Sequence, residues 1–122
     1  MDLANRRYWA KAVNAALCRL LILREICTRP GHGYDLIKRI DRRTRGAFHP
    51  TQATVYPTLA ELHRCGCLVV TTEHTGRRER RVYAATPKGH AACRIATEAW
   101  RSGFRAAFRH APRRVRLPCR NK

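Results

Sequence analysis

Apolar residues in the first quarter of the chain recur at helical intervals. Val13, Leu17, Leu20, Leu21 and Ile26 predict a helix over residues 7–28, ended by Pro30-Gly31. A second helix is predicted from about Tyr34 to Thr44, with Leu36, Ile37 and Ile40 turned inward, Lys38, Arg39, Arg42 and Arg43 outward, and Gly46 closing it. Pro50-Thr51 opens a third, with Thr51 suited to the N-cap and the helix running to about Arg64. There Val55, Leu59 and Leu62 make an i, i+4, i+7 stripe, while Thr51, Gln52, Thr54, Thr58 and Glu61 lie elsewhere on the cylinder. Pro57 lacks a backbone N–H, so it is expected in the first turn or at a bend.

Gly66 suits the residue just past that helix, where a left-handed backbone is needed. Beyond it the period changes from 3.6 to 2. Leu68–His74 and Arg80–Ala85 are rich in β-branched and aromatic residues and read as strands, with Thr75-Gly76-Arg77-Arg78-Glu79 as the basic loop of a hairpin. Thr86-Pro87 starts a last helix, proline at its first position, extending to about His110. The order predicts an α+β, mainly helical fold: a winged helix-turn-helix with an N-terminal helix and a C-terminal dimerisation helix. It divides into a DNA-binding domain over 7–86, the last helix over 87–110, and a Pro- and Arg-rich tail over 111–122 that is expected to be disordered.

Charge sharpens this picture. Of 122 residues, 26 are Lys or Arg and 8 are Asp or Glu, a formal excess of +18. The length supports one domain and argues against a two-domain enzyme with a cleft between its halves. Such an excess attracts polyanions, nucleic acid foremost. The outer face of the third helix is small and polar, which lets its backbone enter a major groove about 12 Å wide. Arg77, Arg78, Arg80 and Arg81 on the hairpin are placed to reach phosphates or a narrow minor groove.

Other chemistry finds little footing. The 8 carboxylates mostly stand beside arginines, and no Ser-His-Asp order, phosphate-cradling Gly loop or His-x-x-x-His pair occurs, so neither an enzyme nor a cofactor is expected. The longest apolar run, Leu20–Leu23, is far short of the roughly 20 residues of a membrane span. Arg6, Arg7 and Lys11 before Ala12–Leu23 superficially resemble a secretory leader, but Asn14 and Arg19 interrupt it and no small-residue cleavage site follows. The cysteines at 18, 27, 65, 67, 93 and 119 include no Cys-x-x-Cys, and a reduced, cytoplasmic protein is expected. Cys65-Gly66-Cys67 lies near His63 and His74, yet without a second paired ligand it is poor metal spacing, and no metal is assigned.

Cys93, Ala96, Thr97, Trp100, Phe104, Ala107 and Phe108 form one apolar face on the last helix. With no further element to cover it, each exposed aromatic would forfeit about 1.5–3 kcal/mol, so a two-fold dimer is expected through Cys93, Ala96, Trp100, Phe104 and Phe108.

Three motifs carry a family resemblance. Gly31-His32-Gly33-Tyr34-Asp35-Leu36-Ile37-Lys38-Arg39-Ile40, Thr54-Val55-Tyr56-Pro57-Thr58-Leu59-Ala60-Glu61-Leu62, and the run from Gly76 through Arg81-Val82-Tyr83 to Thr86-Pro87-Lys88-Gly89 occur in order. Together they resemble the helix-turn-helix, recognition helix and wing of PadR-family transcriptional regulators. That resemblance implies a homodimeric repressor of a dyad-symmetric double-stranded DNA operator. Carried over by position, Tyr34 and Lys38 touch backbone phosphate. Thr51, Gln52, Thr54 and Tyr56 lie at or near the major groove, Arg64 closes the same helix, and Arg77 and Arg78 work from the wing. Tyr56 has a second reading, as packing between helices two and three, and Tyr34 has one too, as a helix-packing residue. His32 is expected to act as a turn or capping residue.

Thr97-Glu98-Ala99-Trp100-Arg101 also looks like the multidrug-binding branch of that family. There a tryptophan of this helix stacks on planar ligands at the dimer interface. The resemblance implies a planar aromatic or phenolic effector at Trp100 and Phe104, with Trp9, Val13 and Leu17 of the first helix as the other wall. Trp100 as plain dimer core is the competing reading. Outside the family pattern, the composition also suits a structural RNA-binding protein of ribosomal character.

Overall fold

The computed structural model describes residues 3–110; the basic tail and Cys119 lie outside the described residues. Helix α1 spans Arg6–Thr28, and the Asn5 side chain accepts from the Arg7 N–H to cap its start. Its buried apolar residues are Cys18, Leu20, Ile22, Leu23 and Ile26. Leu17 and Leu21 are half-buried and Val13 is exposed, because α1 carries no buried residue before Cys18.

Helix α2 (Gly33–Arg43) and helix α3 (Gln52–Arg64) pack on α1. Leu36, Ile37 and Ile40 face Val55, Leu59 and Leu62 across the core, joined by Cys67, Leu68 and Tyr83. Gly46 closes the α2 turn with φ +79, its N–H bonded to the Asp41 carbonyl. Thr51 stands at the N-cap of α3, but its hydroxyl pairs with the Thr54 hydroxyl at 3.1 Å rather than with a backbone N–H. Pro57 sits in the second turn, one turn later than expected, on the exposed side of the helix.

Strands β1 (Leu68–Thr75) and β2 (Arg78–Ala85) form an antiparallel wing in register from Leu68–Ala85 to Thr75–Arg78. The expected five-residue loop is a two-residue turn, Gly76-Arg77, with φ +65 at Gly76 alone. A positive φ at only the first central residue is the type II′ arrangement, whose twist matches a hairpin and lets pairing continue to Arg78. The α1–α2 loop joins this sheet: Gly31 and Tyr83 exchange backbone hydrogen bonds at 3.1 and 2.9 Å.

Helix α4 (Pro87–Ala107) starts at Thr86, whose side chain accepts from the Gly89 N–H while donating to the Gly66 carbonyl. Gly89 is fixed sterically, since a Cβ there would stand 2.1 Å from the Cys67 carbonyl oxygen. Helix α4 then runs antiparallel along α1. The Cys27 thiol reaches the Gly89 carbonyl and Arg24 donates to Thr97 at 2.9 Å. This corrects one expectation: α1 itself half-covers Cys93, Ala96 and Thr97 of the apolar stripe, while among the described residues Phe104 and Phe108 at its far end are exposed. No helix of the described residues is long and apolar enough to cross a membrane.

The largest departure concerns Arg39. Expected outward, it is buried, 6% exposed, beside Glu25 at 4%. One guanidinium nitrogen donates to the Glu25 and Arg29 carbonyls at 2.8 Å each and another to the Pro30 carbonyl, while Nε lies 3.6 Å from Glu25 Oε1. Arg43 reaches the same carboxylate from the surface. Burial pushes the Arg39 guanidinium down from its ordinary value and Glu25 opposes that; the hydrogen bond to Glu25 pushes Arg43 up. The physical reason for the burial is the end of α1, which has no capping glycine and no basic residue in its last turn, so its carbonyls need a donor from elsewhere. Arg39→Ala strips that donor and leaves Glu25 buried with only a surface partner. It should cost about 3–5 kcal/mol in urea unfolding, and Arg39→Lys, lacking the planar fork, should not restore it. A loss under about 1 kcal/mol would mean that the pair is incidental.

Candidate nucleic-acid interface

Helices α2 and α3 form the helix-turn-helix, and β2 stands beside it as the wing. Between them opens a cleft of about 870 Å³, lined by His32, Tyr34, Asp35 and Lys38 from the start of α2, Tyr56 from α3, and Glu79, Arg80 and Arg81 from β2. Three of the sequence candidates meet here. Tyr34 is exposed, with the Lys38 ammonium 4.7 Å from its ring centroid. Tyr56 packs on α2, as its second reading has it: a Cβ at Gly33 would come within 2.7 Å of its ring, while 44% of the residue stays exposed. Gly33 is therefore the seat of the Tyr56 ring.

Other candidates are dispersed. Thr51 and Gln52 are exposed at the N-terminal end of α3. Thr54 turns to the opposite side from Tyr56, lining a groove with Thr58, α1 and α4. Arg64 lies eight residues past Tyr56, about 12 Å along the axis, and is not brought to the cleft. Arg77 occupies the wing turn and Arg78 pairs with Thr75 at the start of β2. Both are exposed, but the wing arginines lining the cleft are Arg80 and Arg81. Those two were legible as part of the basic run; what could not be read was which of the four faces α2.

The wing is tied to the helix-turn-helix. His32 holds the N-cap position of α2 without capping through its side chain; instead its Nδ1 lies 3.2 Å from the Arg81 carbonyl and its Nε2 3.8 Å from Glu73. With Asp35 and Glu79 present beside Lys38, Arg80 and Arg81, the cleft is of mixed charge.

On α4, Trp100, Phe104 and Phe108 stack in series, ring centroids 5.8 and 5.5 Å apart, along an open trough floored by Ala99, Gly103 and Ala107. Phe104 and Phe108 are 45% and 71% exposed. Trp9, Val13 and Leu17 line neither this trough nor the groove on the other side of Trp100, so one chain does not assemble the expected two-walled site. Trp9 is instead turned to Tyr8 and the Leu3 carbonyl at the start of α1. Among the described residues, no group of three or more His, Cys, Asp or Glu is placed to hold a metal ion.

Comparison with known proteins is consistent with this geometry. Transcriptional regulator YqjI of Escherichia coli K12 is 34% identical over 61 residues, half of this chain but only 30% of that protein's length. Transcriptional regulator Rv3488 of Mycobacterium tuberculosis is 38% identical over 77 residues, 63% of this chain and 69% of that one. Two solved structures share the fold at 20% identity. A transcriptional regulator from Clostridium thermocellum has a TM-score of 0.76 over 83% of this chain and 99% of its own. A PadR-family transcriptional regulator from Eggerthella lenta has a TM-score of 0.75 over 83% and 87%. The model of the transcriptional regulator PadR-like family matches residues 22–95, which hold the helix-turn-helix, the wing and the first turns of α4. The chain belongs to the PadR-like family of transcriptional regulators.

Proposed function

We propose that the chain is a sequence-specific regulator of double-stranded DNA, a repressor, acting as a homodimer on an operator of dyad symmetry. The observation that carries this is the exposed surface of α3, with the small or polar residues Thr51, Gln52, Ala53 and Ala60 open to solvent and Tyr56 set in the cleft with Tyr34, Lys38 and the wing arginines Arg80 and Arg81. A helix face of that composition admits close backbone approach and offers Gln52 and Tyr56 to base edges. Tyr34 and Lys38 hold backbone phosphate. Arg77 and Arg78, with Arg80 and Arg81, grip the flanking backbone or a narrow minor groove. Arg64, remote from the cleft, takes at most a distal phosphate. The charge thus supplies affinity and register, while α3 supplies sequence.

The second copy covers the Trp100-Phe104-Phe108 face, together with Trp9 and Val13 of α1; Phe104, Phe108, Trp9 and Val13 stand exposed among the described residues. Cys93 and Ala96 approach that interface from the half of α4 already resting on α1. A planar aromatic or phenolic effector binds where the two Trp100 rings meet, Phe104 beside them and Leu17 at the rim, and competes with the operator-binding arrangement.

Footprinting on the gene's own promoter should protect two half-sites about one helical turn apart; equal binding to any duplex or to folded RNA would sink the repressor reading. Arg77→Ala should weaken all duplexes alike and lower the salt slope by about 1, whereas Gln52→Ala should cost about 1–3 kcal/mol at one base pair only. Sedimentation at micromolar concentration should give a dimer, and Trp100→Glu with Phe104→Glu should give folded monomers; a dimer that survives both changes places the interface elsewhere. In a Trp9→Phe background, planar aromatic compounds should quench Trp100 and lower operator affinity together. Quenching without loss of affinity would show a ligand that is not an effector.

A further inference from the structure

Where the end of α1 meets the start of α4, two thiols come together. Cys27 lies in the last turn of α1 and Cys93 in the second turn of α4, one helical turn beyond Gly89 and on the same face. The Cys27 thiol donates to the Gly89 carbonyl at 3.8 Å, which sets its sulfur against that face. Both cysteines are half-buried, and both line an open cleft of about 320 Å³ with Arg24, His90, Arg94 and Arg101. Cys67, the other thiol near Cys27, is buried and faces the groove on the far side of α4.

We propose that Cys27 and Cys93 are a redox pair, a modification site at which hydrogen peroxide converts two free thiols into a disulfide that staples α1 to α4. Burial first, and the Cys93 charge and hydrogen bond next, push Cys27 up to about 11, so at neutral pH it stands as a thiol. The Cys27 thiol is also engaged with the Gly89 carbonyl, so the first attack falls to Cys93. Cys93 sulfur attacks one peroxide oxygen; the S–O bond forms, the O–O bond breaks, and the departing hydroxide takes the thiol proton to become water. Three arginines of the cleft, Arg24, Arg94 and Arg101, against one acid, Glu98, favour the negative charge on that leaving oxygen. Cys27 sulfur then attacks Cys93 sulfur, the S–S bond forms as the S–O bond breaks, and the Cys27 proton leaves with the hydroxyl as a second water. Two thiols are oxidised and one peroxide is reduced to two waters. The staple joins the end of α1, already locked to α2 through Glu25 and Arg39, to the helix that carries the open aromatic face. Neither DNA nor a second copy takes part, so the chemistry stands or falls apart from the function proposed above.

The test uses the full reduced chain, treated with hydrogen peroxide, quenched with catalase, blocked with N-ethylmaleimide in acidic denaturant and mapped by mass without reduction. The tryptic peptides bearing Cys27 and Cys93 should appear linked, two hydrogens lighter than their sum, in more than half of the molecules, and should separate with dithiothreitol. Cys65→Ser should leave that yield unchanged. Cys93→Ser should abolish it, as should Cys93→Ala, which keeps a small apolar side chain if serine disturbs the packing. Recovery of both Cys27 and Cys93 as alkylated thiols under conditions that oxidise the exposed Cys65 would overturn the proposal. So would a linkage of Cys27 to Cys67.

Discussion

The contact on which the rest depends is the buried pair of Glu25 and Arg39. A guanidinium taken out of water costs several kcal/mol unless it is paired, and here its two terminal nitrogens donate to three main-chain carbonyls while Nε, without a hydrogen bond, faces the Glu25 carboxylate as an ion pair. Those carbonyls belong to the end of α1 and the loop that leaves it. One side chain of α2 therefore finishes α1, neutralises its buried acid and sets the angle at which α2 departs. The position of α3, and so of the cleft with the wing, follows from that angle, since α2 and α3 share one core through Leu36, Ile40, Val55 and Leu59. The pair contributes less as net attraction than as a demand for one arrangement: any other leaves a charge or a carbonyl unmatched in the interior.

Hydrophobic period revealed the elements well wherever burial follows the period. The stripe Val55, Leu59, Leu62 and the inward set Leu36, Ile37, Ile40 are buried as expected. Period failed where burial is set by a partner distant in sequence. Arg39 looks solvent-facing on α2 because the acid and the carbonyls that accept it lie 9 to 14 positions earlier. The signal that was present was an absence, a long helix whose last turn holds no basic residue and whose C-cap, Arg29, is followed by proline where a glycine would close the turn. The wing turn failed for another reason: Arg78 and Glu79, charged residues beside a glycine and with glutamate a poor β former, read as loop, yet β2 begins at Arg78 because its pairing with β1 and the turn at Gly76 carry it.

For the candidate site, the residue types were legible and their grouping was not. Tyr34, Lys38 and Tyr56 converge because Gly33 leaves room for the Tyr56 ring beneath α2. Thr54, two residues from Tyr56, faces the other way because two residues turn a helix through about 200°. On α4, an apolar stripe records that a face is covered without saying by what. Its first half turned out to rest on α1 of the same chain, while the Phe104-Phe108 end stands open.

The two backbone hydrogen bonds between Gly31 and Tyr83 make the loop before α2 a third, one-residue rung of the wing sheet. A β-hairpin alone is marginally stable in water and would sway about its base. Here the rung at Tyr83 and the His32 contact with the Arg81 carbonyl hold β2 from near its base to its middle, so the loss of freedom needed to orient the hairpin against α2 is already incurred when the chain folds. A partner that docks between α2 and the wing meets a jaw of set width. Little of its binding free energy is then consumed in ordering the jaw, and ligands of the wrong girth are refused instead of accommodated.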